Sequence, residues 1–299
     1  MSGKGIPDLD GKLVVLTSAA SGIVQALAVA LSKKGCHLAL VDVNAAGLTA
    51  LAAELTSAHR RVSTHVVDVA DKARMHALAH DVARIHAAVH VLVNNAGIGY
   101  EAPFQQTSLV AWERIVGINL WGTVYGCHFF MPYLAKVERA HIVNLSSLFG
   151  IVGMAGQTAY SATKYAVRGF SEALWEELRA TTISLTVVHP GAVATNIMRT
   201  MEGDDPELIK RLATWYETKA MAPEKAAAKI VAAVEKGKPR LLIGAAVVFA
   251  DQVKRLLPVA GNRAICDLAI RALDVEHMRE KRKKQWQETM VDAPWDKAQ

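Results

Sequence analysis

Three side chains in the middle of the chain, Ser147, Tyr160 and Lys164, are of types that exchange protons or orient an oxygen. Tyr160 and Lys164 stand four residues apart in Tyr160-Ser-Ala-Thr-Lys164, so on a helix they share one face. Ser147 ends the run Asn144-Leu-Ser-Ser147, thirteen residues before the tyrosine. Alcohol, phenol and ammonium groups all donate hydrogen bonds, and a phenol can act as a general acid or base. A lone Tyr-x-x-x-Lys pair is common and carries little weight. Its meaning comes from the elements that hold it.

Those elements alternate. Strands are expected at 12–17, 37–41, 61–67, 90–93, 141–145 and 183–188, with a candidate seventh at 240–243. Helices are expected at about 22–34, 45–58, 72–86, 109–134 and 159–179. Strand alternating with helix implies right-handed βαβ units. A composition rich in Ala, Val and Leu suits strands buried on both faces. The expected fold class is α/β, a doubly wound parallel sheet with helices on both faces and a C-terminal helical extension. The 299 residues hold no internal repeat, low-complexity segment or linker, so one domain over 1–299 is expected. The alternation breaks at about 195–218 and again over about 244–299. In such sheets a ligand lies outside the carboxyl ends of the strands, so the residues after each strand matter most.

The first strand leads into Thr17-Ser18-Ala-Ala-Ser21-Gly22-Ile23-Val24. A turn of this kind can set backbone N–H groups and a helix N-terminus against a pyrophosphate, although an ordinary strand-to-helix turn reads much the same. Asp42 follows the second strand, where a carboxylate accepts from both adenosine ribose hydroxyls and repels a 2′-phosphate. No Arg or Lys stands at Ser21 or Val43 to offset it, which favours NAD over NADP. Asp68 and Val69 follow the third strand, positioned for the adenine edge. The fourth ends in Asn94-Asn95-Ala96-Gly97, where small residues allow close backbone approach and Asn side chains can brace neighbouring strands. After the sixth come His189-Pro190-Gly191-Ala-Val193-Ala-Thr195. The Pro-Gly pair makes a fixed turn, Thr195 offers a hydroxyl to a nicotinamide carboxamide, and His189 reads as structural.

As an ordered set, Thr17…Gly22, Asp42, Asp68-Val69, Asn94-Asn95-Ala96-Gly97, Asn119, Ser147, Tyr160…Lys164 and Pro190-Gly191…Thr195 resemble the short-chain dehydrogenase/reductase family. The likeness is strong over 12–195 and looser to 242. It implies a single Rossmann-type domain that transfers hydride between NAD(H) and a secondary alcohol or ketone. By the resemblance, Tyr160 exchanges a proton with the substrate oxygen, and Lys164 with the positive nicotinamide lowers its pKa from about 10. Lys164 also holds the nicotinamide ribose, and Ser147 orients the substrate oxygen. Asn119, in Ile118-Asn-Leu-Trp-Gly122, helps hold a water that links Lys164 to solvent. Cofactor contacts are implied at Ser18, Ser21, Gly22, Ile23, Asp42, Asp68, Val69, Asn95, Ala96, Gly97, Tyr160, Lys164, Pro190, Gly191, Val193 and Thr195. The resemblance also implies a homodimer or homotetramer, built through the helices around Asn119 and Tyr160.

One departure stands out. The family's phosphate turn reads Thr-Gly-x-x-x-Gly-x-Gly, and here Ser18 and Val24 replace the first and third glycines. Ser18 fits if its backbone keeps to a common region. Val24 brings a β-branched side chain to the place where the helix start packs on strand and cofactor. Three readings stay open: a slightly shifted turn that still binds NAD, a weakened cofactor site, or a non-catalytic binding module of the same fold.

The segment at 195–218 is expected to form a substrate lid. It carries Met198, Met201, Trp215 and Tyr216. With Ser147, Phe149, Met154 and Tyr160, and Tyr100 as a further candidate, Met198 and Trp215 suggest a pocket for an apolar or cyclic body, or else lid packing. The tail beyond 244 has Phe249, Val253, Leu256 and Leu257 at helical spacing, and a second helix is expected at 263–279. It either packs on the domain or a neighbouring subunit, or touches a membrane surface through its helix. The net charge of +6 owes much to 279–284, read as a solvated helical tail rather than a nucleic-acid patch. Cys36, Cys127 and Cys266 show no pairing or zinc-binding spacing, so neither disulfides nor a metal site is expected. With no apolar leader and no run long enough to cross a bilayer, a cytoplasmic location is expected.

Overall fold

The computed structural model describes residues 5–57, 59–195, 201–203 and 205–272. In chain order the elements begin β1 (Leu13–Thr17), α1 (Gly22–Lys33), β2 (His37–Asp42), α2 (Ala45–Leu55), β3 (Val62–Val66), α3 (Lys72–His86) and β4 (Val91–Asn94). Next come β5 (Tyr100–Glu101), α4 (Leu109–Val116), α5 (Gly122–Leu134), β6 (Ala140–Leu145), α6 (Thr158–Glu177) and β7 (Ile183–Pro190). The described chain closes with β8 (Glu202–Gly203), α7 (Pro206–Lys219), α8 (Pro223–Lys236), β9 (Arg240–Ile243), α9 (Ala245–Leu256) and α10 (Ala260–Ala272).

Seven strands form one parallel sheet in the order β3-β2-β1-β4-β6-β7-β9, the doubly wound arrangement expected from the alternation. Successive side chains of a strand point to opposite faces, and the core divides accordingly. Val14 and Leu16 of β1 join Leu27 and Leu31 of α1, Leu48 of α2 and Ile230 of α8 in one layer. Leu13 and Val15 of the same strand join Met75 and Leu78 of α3 and Phe130 and Leu134 of α5 in the other. Both faces of β1 are therefore buried, which is why its sequence is a continuous apolar run rather than an alternating one. The switch point falls between β1 and β4, where the chain turns from one half of the sheet to the other.

Several local details depart from the expectations. The single helix expected at 109–134 is two helices joined by a π-helical turn, Gly117–Trp121. The interruption at 195–218 contains β8 and α7, and β8 pairs in parallel with β5, another element of two residues. The tail forms α9 and α10, and α10 covers the first part of the helix expected at 263–279; the rest of that helix lies outside the described residues, as do Met198 and the basic run at 279–284. No helix among the described residues is long and apolar enough to cross a membrane.

The tail is fastened to the sheet edge by an ion pair. Arg240 of β9 donates from both terminal nitrogens to Asp251 of α9, at 2.9 and 2.6 Å, and Arg255 approaches the same carboxylate at 3.1 Å. Asp251 is buried, and its hydrogen bonds from Arg240 hold the carboxyl below its ordinary range. A depressed carboxyl contributes stability above its unfolded pKa and loses it as pH falls through the folded value. Asp251→Ala leaves Arg240 half-buried without its counter-charge, so a loss of about 3 kcal/mol at pH 7 is expected in chemical denaturation. The gap between variant and parent should narrow in acid below the ordinary carboxylate range.

Candidate active site

A cleft of about 670 Å³ opens at the carboxyl ends of the strands. Its walls come from the turn after β1, the end of β2, the segments after β4, β6 and β7, and residues of β8 and α7.

At one end lies the β1–α1 turn. Ser18 has φ +56° and Gly22 φ +61°, so both are in the left-handed region. Gly22 suits it; Ser18 does not, and its backbone is not in the common region that would have made the replacement neutral. A Cβ on Gly22 would come within 3.1 Å of the Thr195 side chain, so that position also needs glycine for space. Ser21 precedes α1 without a side-chain cap, which leaves the first N–H groups of the helix facing the cleft that Ser21, Gly22 and Ile23 line. Val24 is fully buried in the core layer with Leu16 and Leu27 and is not part of the cleft wall. Asp42 stands at the outer end, where its carboxylate accepts from the backbone N–H of Ala20 at 2.9 Å and of Asn44 at 3.0 Å. It thus ties the β1–α1 turn to the end of β2.

In the middle, Thr17 is a hub. Its hydroxyl donates to the Val93 carbonyl at 3.2 Å and accepts from the N–H groups of Asn95 and Ala96 at 3.0 and 3.2 Å. This turns the chain sharply after β4 and brings Asn95 and Gly97 to the cleft. Asn94 donates to Asn144 at 2.9 Å, and Asn144 donates to Ser171 at 3.0 Å, bracing β4, β6 and α6 as expected of the strand-end asparagines. Asp68 caps its own turn, with Oδ1 accepting from Ala70 N at 2.9 Å, and Val69 packs in the core; neither lines the cleft, nor does Ala96.

The chemical end gathers Ser147, Tyr160 and Lys164. Lys164 is buried and donates to the Leu145 carbonyl at 3.0 Å, with its ammonium 5.7 Å from the Tyr160 ring centroid. Burial pushes it down to about 8. Burial also pushes the Tyr160 hydroxyl up to about 12, with the nearby Tyr216 adding to the rise and a hydrogen bond with the Ser147 side chain opposing it. Burial disfavours the charged form of both groups, which moves a phenol up and an amine down. Asn119 is held by both backbone groups of Ile98: Oδ1 accepts from its N–H at 2.8 Å, and Nδ2 donates to its carbonyl at 3.0 Å. A Cβ on Gly97 would lie 3.2 Å from both Asn119 Oδ1 and Lys164 Nζ, so these two polar atoms flank a space that only glycine leaves open. His189 is fully buried, and its Nδ1 lies 3.1 Å from the Ser147 carbonyl, a structural place like the one read from its sequence.

Past the tyrosine, the wall differs from expectation. Phe149 packs edge-on against Tyr160 at 5.9 Å between centroids. Pro190, Gly191, Val193 and Thr195 line the cleft, but Met154 and Trp215 do not; Tyr216 lines it instead of Trp215. Gln157, Arg114 and Glu202 are polar members of the wall that the sequence did not reveal. Arg114 of α4 pairs with Glu202 of β8 at 2.6 Å, and buried Gln157 donates to Glu101. Which residue of α7 meets the cleft is set by helix face rather than by hydrophobicity.

A family model described as short chain dehydrogenase matches residues 12–206. A Mycobacterium tuberculosis protein named as an oxidoreductase, SadH, is 36% identical over 260 residues, covering 86% of this chain and 94% of its own. D-threitol dehydrogenase of Mycolicibacterium smegmatis is 36% identical over 208 residues, covering 68% of this chain and 79% of its own. Among solved structures, a short chain dehydrogenase/reductase from Burkholderia phymatum in complex with NAD matches with a TM-score of 0.79 at 26% identity, over 83% of this chain and 94% of that one.

The left-handed backbone at Ser18 has a measurable consequence. Ser18→Gly is expected to raise the unfolding free energy by about 1 kcal/mol, read by thermal or chemical denaturation. Unchanged or lower stability would mean that the hydroxyl or the stiffer unfolded chain outweighs the relief of strain.

Proposed function

The chain belongs to the short-chain dehydrogenase family of oxidoreductases, and we propose that it moves a hydride between NAD(H) and a secondary alcohol or ketone with Tyr160 as the acid/base. The observation that carries this reading is the meeting of Ser147, Tyr160 and Lys164 at one end of a cleft whose other end is an uncapped helix N-terminus beside Asp42.

The residues present fit a dinucleotide. The free N–H groups at the start of α1 suit a pyrophosphate, and the space kept by Gly97 beside Asn119 and Lys164 suits a ribose or a water. When bound, the nicotinamide supplies or accepts the hydride. In the reducing direction, Tyr160 gives its proton to the substrate oxygen, and Ser147 holds that oxygen. The Lys164 ammonium then faces the phenolate and stabilises it. Asp42 favours NAD, since a 2′-phosphate would meet a carboxylate with no arginine or lysine at Ser21 or Val43. The ground for a non-catalytic module was the pair of missing glycines, and it weakens because Val24 stands in the core and away from the cleft.

On the substrate side, Phe149 and Tyr216 offer an apolar or cyclic body its contacts, while Gln157 and the Arg114–Glu202 pair provide room for a polar substituent. We assign subunit contacts to the aromatic run on the π-turn and α5, where exposed Trp121 stacks on half-buried Tyr125 at 5.5 Å and Tyr125 on half-buried Phe129 at 6.0 Å.

Fluorescence titration should show NADH bound at least about tenfold more tightly than NADPH, the scale of one unfavourable charge contact. Tyr160→Phe should keep NADH binding and lose about a thousandfold in turnover on a panel of ketones and alcohols. Absence of both nucleotide binding and turnover in the parent protein would sink the reading. Because burial pushes the Lys164 ammonium down to about 8, ketone reduction is expected to decline as pH rises through that value. A flat profile from pH 7 to about 9.5 would show that the ammonium is not needed.

A further inference from the structure

The loop from Ser147 to Gly153 carries one end of the reacting set and the Phe149 wall. Its carbonyls are held by side chains from several elements. His189 reaches the Ser147 carbonyl at 3.1 Å, Arg168 the Gly150 carbonyl at 3.4 Å, and the Tyr165 hydroxyl donates to the Ile151 carbonyl. Further contacts come from the C-terminal extension, where the Cys266 thiol donates to the Gly153 carbonyl at 3.3 Å. Asn262 of α10 donates from Nδ2 to the Gly153 carbonyl at 2.9 Å and accepts from the Gly153 N–H at 3.1 Å. One amide side chain thus pairs with both backbone groups of one loop residue, as a neighbouring strand would.

The orientation of that amide is fixed independently. Lys254 of α9 reaches Oδ1 at 2.7 Å, and an ammonium can only donate, so the other atom must be the nitrogen that faces the Gly153 carbonyl. Position is fixed as well. A Cβ on Gly261 would come within 2.9 Å of Val253, so α9 and α10 meet at van der Waals contact beside Asn262. Ile151 and Val152 of the loop share a buried cluster with Val247 and Ala250 of α9, and Ile265 and Cys266 of α10 pack against it. Gly153 itself has open space around its Cβ position, so no steric demand of its own sets its place.

We propose that Asn262 is a positioning residue for the substrate pocket. It holds the far end of the Ser147–Gly153 loop so that Phe149 stands edge-on to Tyr160. The inference rests on the oxidoreductase reading for its kinetic consequence but not for its structural one. His189 holds Ser147 from the other end of the loop, so release at Gly153 disturbs the wall that meets the substrate body more than the group that meets the reacting oxygen. Substrate fit, and with it KM, therefore depends on a residue of the extension that lines no part of the cleft.

The test compares the full-length parent with Asn262→Ala and Asn262→Asp. The aspartate keeps the size and the acceptor for the Gly153 N–H, and loses the donor to its carbonyl. Hydrogen exchange read by mass spectrometry over 148–156 should be about tenfold faster in both variants, with exchange over β1 and β4 unchanged. NADH affinity should stay within about twofold, and KM for the best ketone substrate should rise about tenfold while kcat changes less than about threefold. Unchanged loop exchange in a folded variant overturns the proposal. So does faster exchange with KM unaltered, or an equal fall in kcat with KM constant. If Asn262→Ala does not fold, Asn262→Asp alone decides between these outcomes. A parent protein without turnover would overturn the oxidoreductase reading, while the exchange comparison would still report whether Asn262 holds the loop.

Discussion

A lysine ammonium taken out of water must be surrounded by oxygen, and much of this site is arranged around that need. Lys164 is buried, and its nitrogen has the Leu145 carbonyl at 3.0 Å. That carbonyl is free to accept because it sits at the last residue of β6, where the sheet ladder ends. Gly97 leaves open a space beside the ammonium, and Asn119 of the π turn borders the same space. Thr17, the asparagine and serine contacts that join β4, β6 and α6, and the two bonds between Ile98 and Asn119 keep these pieces in register. The arrangement is a preorganised polar pocket inside an apolar sheet, and the burial that makes it costly is also what brings the amine near neutrality.

Tyr160 illustrates the same balance from the opposite side. Desolvation disfavours a phenolate as strongly as it disfavours an ammonium, so the two groups move towards mutual neutrality in the protein alone. A phenol held neutral is ready to give its proton to an oxygen that is gaining electrons. For the reverse direction, positive charge near the phenol would have to come from what the cleft binds. Asp42 stands at the far end of the cleft, where its two oxygens already accept from Ala20 and Asn44. It is thereby fixed in place, ready to meet further donors without reorganising.

The sheet and the reactive trio were legible in the sequence because both follow short-range rules. Strands buried on two faces leave continuous apolar runs, as in β1, and Tyr160 and Lys164 show their common face through a spacing of four. What escaped obeys rules that sequence spacing does not display. The π turn adds one residue to a turn without altering the apolar pattern around it, so 109–134 read as one helix. β5 and β8 are two residues each, too short for a period, and they exist because distant segments pair. Trp215 and Tyr216 differ by one position, which on a helix is a rotation of about 100°, and hydrophobicity alone could not say which would face the cleft. Ser18 in a left-handed conformation could be suspected from the glycine it replaces, but only coordinates show that the backbone kept the glycine's shape.

The bond between Asn262 and Gly153 also sets an order in time. Residues 147–153 belong to the middle of the chain, yet their last tether comes from a helix more than a hundred positions later. During synthesis from the N-terminus, the sheet from β1 to β7 can pair and the trio can assemble while α10 is still unmade. The pocket wall can only settle once that helix has emerged and docked. A chain still attached to a ribosome would thus bring Ser147, Tyr160 and Lys164 together before Asn262 could fix the wall beside them.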